Sequence, residues 1–147
     1  EMQFYFSIDK VNRTKINEIL GEEAELTGES DIDGLMMGFI DLVFEQNGKY
    51  YILDWKSNHL GNSINKYDKK GLDEGMKNNN YNLQYMIYTL ALKRWLESRI
   101  PDFDYGQHFG GVIYVFLRGV REGEETGMYT NQPSLEMIEK LDEAFNE

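Results

Sequence analysis

An α/β domain built on a mixed β-sheet is the fold this sequence predicts, and three observations lead there. Asn47-Gly48 separates two runs of β-branched and aromatic residues, the strongest short hairpin signal a sequence carries. Residues 81–100 repeat apolar side chains at helical spacing. The run that follows, "GGVIYVFLRG" over 110–119, is apolar on both faces, as an interior or parallel strand is. A helix between two strands is the connection a parallel pair requires.

The elements follow in order. "MQFYFSI" (2–8) reads as a strand, "NRTKINEIL" (12–20) as a short helix, and 21–34 as a polar connection. "LMMGFIDLVFEQ" (35–46) and "KYYILDWKS" (49–57) are the two arms of the hairpin. Residues 58–80 carry Lys66, Lys69, Lys70 and Lys77 and are expected to be mobile, with Leu72 and Met76 marking one or two helical turns. In the helix over 81–100, Leu83, Met86, Ile87, Leu90 and Trp95 form the apolar stripe, and Pro101 stops it. The last helix, 134–145, has Ser134 as its expected N-cap and Leu135, Ile138, Leu141 and Phe145 as its inner face. The predicted sheet is therefore an antiparallel meander of three strands plus a crossover strand, flanked by helices.

Composition bounds the function. At 147 residues, 41% hydrophobic and 28% charged, the chain is about one domain and globular in character. It has no cysteine, so it holds neither a disulfide nor a thiolate cluster, which fits a reducing cytoplasm. No apolar run is long enough to span a membrane. No charged-then-apolar leader precedes the first strand, and the sequence is expected to be one piece of a larger polypeptide. The formal net charge of −11 argues against a simple nucleic-acid binder, which advertises itself with excess lysine and arginine. Acids crowd at Glu18, Glu22, Glu23, Glu25, Glu29, Asp31 and Asp33, where solvated surface explains them.

Within "YYILDWKSN" (50–58), Asp54 and Lys56 interrupt a run that should be buried, and residues two apart share a face of a strand. With Asn47 and Gly48 as the turn, Gln46 faces Lys49, Leu42 faces Leu53, and Asp41 faces Asp54. Opposed carboxylates about 5 Å apart repel by roughly 3 kcal/mol at an effective dielectric near 20. A shared proton, an intervening base or a divalent cation would each relieve the repulsion. A shared proton would suit a protease or glycosidase dyad. A hard cation also gives a use to Lys56, which the same register places opposite Phe39, one step along the face. The plainer alternative is a salt bridge between Asp54 and Lys56. His108 reads as a satisfied residue at a strand end.

Four blocks, "GFIDLVF", "YYILDWKSNHLG", "YNLQYMIYTLALKRWL" and "HFGGVIYVFLRGV", together resemble the PD-(D/E)XK nucleases, and among them the C-terminal nuclease domains of the RecB family. The resemblance runs from Gly38 to Val120 and implies a restriction-endonuclease-like core. It implies that Asp41 and Asp54 bind metal with the backbone carbonyl of Trp55, and that Lys56 orients water and stabilises charge on phosphate. Gln84 and Tyr88 would be the family's Gln-x-x-x-Tyr pair, aimed at DNA or the lysine. Their spacing places them on one helix face, where a solvated polar stripe is the alternative. Tyr81 and Tyr85 are expected to serve packing.

The family also draws a histidine from a helix ahead of the first strand. Neither His59 nor His108 stands in that context, so weak metal binding by this piece is expected, and Glu1 lies where the family often has an acid. The implied activity is that of an exodeoxyribonuclease V type, hydrolysing DNA in double-strand break repair and recombination. Mg²⁺ is the implied cofactor, with Mn²⁺ or Ca²⁺ able to take its place. ATP would act only through other domains, because no Gly-x-x-x-x-Gly-Lys loop is present. The implied partners are DNA, RecC- and RecD-like subunits and a RecA-like recombinase, for which the surface of 81–100 could be a docking module. Residues 1–147 would then be a single nuclease domain of a helicase–nuclease subunit, in the cytoplasm.

Overall fold

In the computed structural model, which describes residues 1–27 and 32–146, two antiparallel ribbons are joined at a bend centred on Asp41. The first pairs β1 (Met2–Val11) with β2 (Ile32–Ile40), register Met2 to Ile40 and Tyr5 to Met37. The second pairs β3 (Leu42–Gln46) with β4 (Lys49–Lys56). Asn47 and Gly48 take φ of 53° and 79°, the left-handed pair a tight type I′ turn requires. Gln46 faces Lys49 and Leu42 faces Leu53, the register read from the turn.

The single strand expected over 35–46 is two. Residues on either side of Asp41 share one β-like composition, and only their partners differ: β2 hydrogen-bonds to β1, and β3 to β4. Phe39 therefore faces Gln3 and not Lys56, whose neighbour across the ladder is Phe116. Of the polar connection expected over 21–34, residues 28–31 lie outside the described residues, with Glu29 and Asp31 among them. Residues 32–34 already belong to β2.

The helices are α1 (Arg13–Leu20), α2 (Lys69–Asn78), α3 (Tyr81–Arg99), the single turn α4 (Tyr105–His108) and α5 (Leu135–Asn146). The stretch expected to be mobile is organised: a 3₁₀ turn at Ile64–Tyr67 leads into α2, and Tyr67, Leu72 and Met76 are buried. Asn12 and Asp68 cap α1 and α2 through their side chains. Ser134 caps α5, its Oγ accepting from Met137 N–H at 3.2 Å. Ile138, Leu141 and Phe145 are buried there as expected, whereas Leu135 is exposed.

The crossover is real. β5 (Phe109–Phe116) lies parallel to β4, with Asp54 beside Tyr114 and Lys56 beside Phe116. The strand stops at Phe116, and a 3₁₀ turn (Leu117–Gly119) replaces the end expected at 119. A short strand that composition does not announce, β6 (Met128–Asn131), pairs antiparallel on its far side, giving the order β3-β4-β5-β6. α3 packs against β5, α2 and α5. It is buried on more than one side, so its inner residues extend beyond the stripe to Tyr85, Tyr88, Thr89, Leu92 and Leu96, while Ile87 and Trp95 are half-buried. The β1–β2 ribbon sets Phe4, Phe6 and Ile8 into this core and leaves Tyr5, Leu35, Met37 and Phe39 exposed on its other face.

Candidate functional site

The site forms where β4 passes under α3. Alternation along β4 sends Ile52 and Asp54 inward and Trp55 outward, so the acid shares the buried face with core residues. Asp54 is 4% exposed, and with Thr89 it makes up the buried polar residues among those described. Burial pushes its carboxyl above the ordinary value of 3.8, opposed by Lys56 and reinforced by the neighbouring Asp41.

Asp41 occupies the bend between the two ribbons, half-buried. One of its oxygens accepts the Trp55 N–H at 3.1 Å, which fixes the carboxylate against the end of β4. Asp41 lies near enough to Asp54 to help raise its carboxyl, so the two acids are neighbours, although no ladder pair joins them. The ladder itself ends at Leu42 and Leu53, and it is the Trp55 N–H that holds Asp41 in place.

Lys56 follows on the same side of β4. Its Nζ lies 3.0 Å from Asp54 Oδ2 and donates to Gln84 Oε1 at 3.1 Å, with the side chain 12% exposed. The salt bridge offered as the plainer reading is present, but it is one contact of a larger cluster. Gln84 Oε1 also accepts the Tyr114 hydroxyl at 2.8 Å. Lys56 Nζ lies 4.0 Å from the centre of the Tyr81 ring and 5.3 Å from that of Tyr114. Tyr88, 8% exposed, is within electrostatic reach of both acids, and its hydroxyl is pushed up to about 12 by burial first, then by Asp54 and Asp41. It stands edge-on to Phe4 at 5.7 Å. Gln84 and Tyr88 thus face the acids and the lysine, and the solvated stripe is excluded.

Asp41, Asp54, Lys56, Gln84 and Tyr88 converge, while the two histidines stand apart. His59 is exposed; His108 accepts the Asp104 N–H at its Nδ1 (2.9 Å) and stacks on Phe103, a satisfied residue at the start of β5. Tyr81, assigned to packing from the sequence, touches the catalytic lysine candidate, and Tyr114 was missed. The signals were present. Tyr81, Gln84 and Tyr88 at i, i+3 and i+7 share one helix face, and Tyr114 is the only hydroxyl in an otherwise apolar strand.

Asp54 Oδ2 is wholly enclosed and, despite the nearby ammonium, finds no hydrogen-bond donor of proper geometry among the described residues. A buried carboxylate oxygen is costly unless a cation completes it, and Lys56 at 3.0 Å supplies one positive charge here. The donors at hand are carboxylate and backbone oxygens, which suit a hard divalent ion. Among the described residues, no group of three His, Asp or Glu side chains converges that could hold a metal alone. Asp41 and Asp54 are the carboxylates that lie together here.

The sequence model of the PD-(D/E)XK nuclease superfamily matches residues 3–147. The chain is 43% identical over 150 aligned residues to the RecBCD enzyme subunit RecB of Haemophilus influenzae, an alignment that covers 99% of the chain and 12% of that protein. It is 50% identical over 115 residues to the RecB subunit of Escherichia coli K12, covering 78% and 10%, and 33% identical over 127 residues to that of Mycobacterium tuberculosis H37Rv, covering 81% and 12%. The chain spans about a tenth of the length of these curated relatives. With nearly its whole length matched and a mixed sheet flanked by helices, the chain belongs to the PD-(D/E)XK nuclease superfamily.

Proposed function

We propose that this chain is the nuclease domain of a RecBCD-type helicase–nuclease subunit and hydrolyses DNA phosphodiesters with Mg²⁺ as its ion, in double-strand break repair and recombination. The observation that carries the reading is the convergence of Asp54, Lys56 and Gln84 on one buried point beside Asp41. A structural salt bridge between Asp54 and Lys56 needs neither Gln84 nor Asp41.

Asp41, Asp54 and the Trp55 carbonyl would hold the ion, and Mn²⁺ or Ca²⁺ suits the same oxygens. When bound, it supplies Lewis acidity and a more acidic water. Asp41 keeps its second oxygen for this purpose, the first being held by the Trp55 N–H. Lys56 places a positive charge beside the acids, where it orients the attacking water and stabilises charge that develops on the phosphate. Gln84 holds the ammonium through Oε1. Tyr88 stays protonated across the physiological range and offers an O–H donor toward the same space.

ATP is used by other parts of such a polypeptide, and RecC- and RecD-like subunits deliver the strand to this domain. That division of labour accommodates a net charge of −11 in a DNA-cutting domain. No helix among the described residues is long and apolar enough to cross a membrane. A RecA-like recombinase docking on 81–100 is the second reading, and the exposed part of that stretch is Glu97, Ser98 and Arg99.

The test uses the full-length subunit in its complex. Asp54→Asn and Lys56→Ala should each lower cleavage of linear DNA by at least about a hundredfold while unwinding continues. Cleavage at the wild-type rate by either variant would refute the assignment.

A further inference from the structure

A lysine side chain has four rotatable bonds and about 2 kcal/mol of rotamer entropy, so an ammonium that must act at one point has to be held there. Lys56 has three N–H groups and is 12% exposed, so water does little to satisfy them. Asp54 and Gln84 face two sides of the ammonium. Two aromatic faces complete the enclosure, Tyr81 at 4.0 Å and Tyr114 at 5.3 Å, both inside the roughly 6 Å range of a cation–π contact.

Neither ring is loose. Tyr81 donates its hydroxyl to Asn58 Oδ1 at 3.1 Å, and its ring lies 5.9 Å from Tyr114 and 6.4 Å from Phe116. Tyr114 is fully buried, and burial raises its hydroxyl far above the ordinary 10, so it remains an O–H donor to Gln84 Oε1. That bond aims the Gln84 oxygen at Lys56.

Building on the nuclease reading above, we propose that Tyr81 and Tyr114 are positioning residues that form an aromatic seat for the Lys56 ammonium, set by the negative faces of their rings. An aliphatic side chain would fill the same volume and leave one side of a desolvated cation without a partner. The seat also differs from Asp54 in kind. A divalent ion would compete with Lys56 for the Asp54 carboxylate, whereas the ring faces and Gln84 hold the ammonium without drawing on either acid.

The experiment replaces Tyr81 in the full-length complex with phenylalanine and with phenylalanines bearing one, two and three ring fluorines, which drain the ring face of negative charge with little change of size. Two quantities are measured: kcat and KM for cleavage of linear double-stranded DNA, and the rate of reductive methylation at Lys56, followed by mass spectrometry in EDTA. Tyr81→Phe should stay within about threefold of wild type, because only the bond to Asn58 is lost. Along the fluorine series kcat should fall stepwise by about tenfold at constant KM, and Lys56 methylation should quicken by a similar factor. Lys93, whose side chain is 13% exposed and paired with Glu97, is the internal control and should not change. A flat series in both measurements overturns the seat, and so does equal quickening at Lys93, which would signal general loosening. If Lys56→Ala retains full cleavage, the nuclease reading falls and the seat with it; if Lys56→Ala is inactive and the series is flat, only the seat falls.

Discussion

Removing the charge of Asp41 while keeping its shape should stabilise the metal-free chain. Asp41 accepts the Trp55 N–H at 3.1 Å, a bond that an amide oxygen can also accept, so Asp41→Asn isolates the charge. Its carboxyl is near enough to that of Asp54 to raise it, and two unit charges about 4 Å apart repel by about 4 kcal/mol at an effective dielectric near 20. Asp41 is half-buried, and the water on its open side screens most of this repulsion. About 1 kcal/mol should survive, or roughly 3 °C in Tm for a domain of this size.

The gain depends on pH through Asp54. Burial and Asp41 hold its carboxyl above 3.8, so the folded chain binds that proton more tightly than the unfolded one. The resulting stability is complete below about pH 3.8 and is lost as pH rises through the folded value. The advantage of Asp41→Asn should therefore be full at pH 7 and shrink toward pH 4. On the proposed function Mg²⁺ should oppose it: at about 10 mM and a dissociation constant of about 1 mM, wild type would gain about 1.4 kcal/mol, and the variant, with one charge fewer, would gain less. Thermal melts by circular dichroism at both pH values, with EDTA or Mg²⁺, measure all four corners. A variant that melts below wild type at pH 7 in EDTA, or a gap indifferent to both pH and Mg²⁺, would refute the reasoning.

Two further substitutions probe the scaffold around the site. In Gly38→Ala the added carbon would lie 2.3 Å from the tip of the buried Phe4 ring, which itself supports Tyr88; overpacking should cost about 1–3 kcal/mol and be visible as a lowered urea midpoint. Ser134→Ala removes the acceptor for the Met137 N–H at the start of α5 and should cost about 1 kcal/mol, read from the same titration, with no change in DNA cleavage by the full-length complex.

Much of the site was legible because its first half is local. A two-residue turn with both φ positive admits one register, and from it the opposition of Asp41 and Asp54 follows by counting. Side-chain alternation then puts Lys56 on the side of Asp54. The same counting failed one step further, at Phe39, because it assumed that the strand continues unbroken past Asp41. Nothing in the residues from 35 to 46 distinguishes one long strand from two, and the break is imposed by β1 claiming β2 as its partner. β6 was illegible for a related reason: four residues of mixed exposure carry too little pattern, and only the open edge of β5 makes them a strand.

The sequence by itself determined the hairpin, its paired acids, the capped α5 and the parallel crossover, since each rests on spacing within about a dozen residues or on a run of apolar side chains. The tertiary structure decided where the lysine's partners come from. Gln84 is 28 residues beyond Lys56 and Tyr114 is 30 beyond Gln84, and neither spacing obeys any local period. Only the packing of α3 across β4 and β5 brings them together, because a buried cation has to gather its acceptors from whichever elements the core places around it.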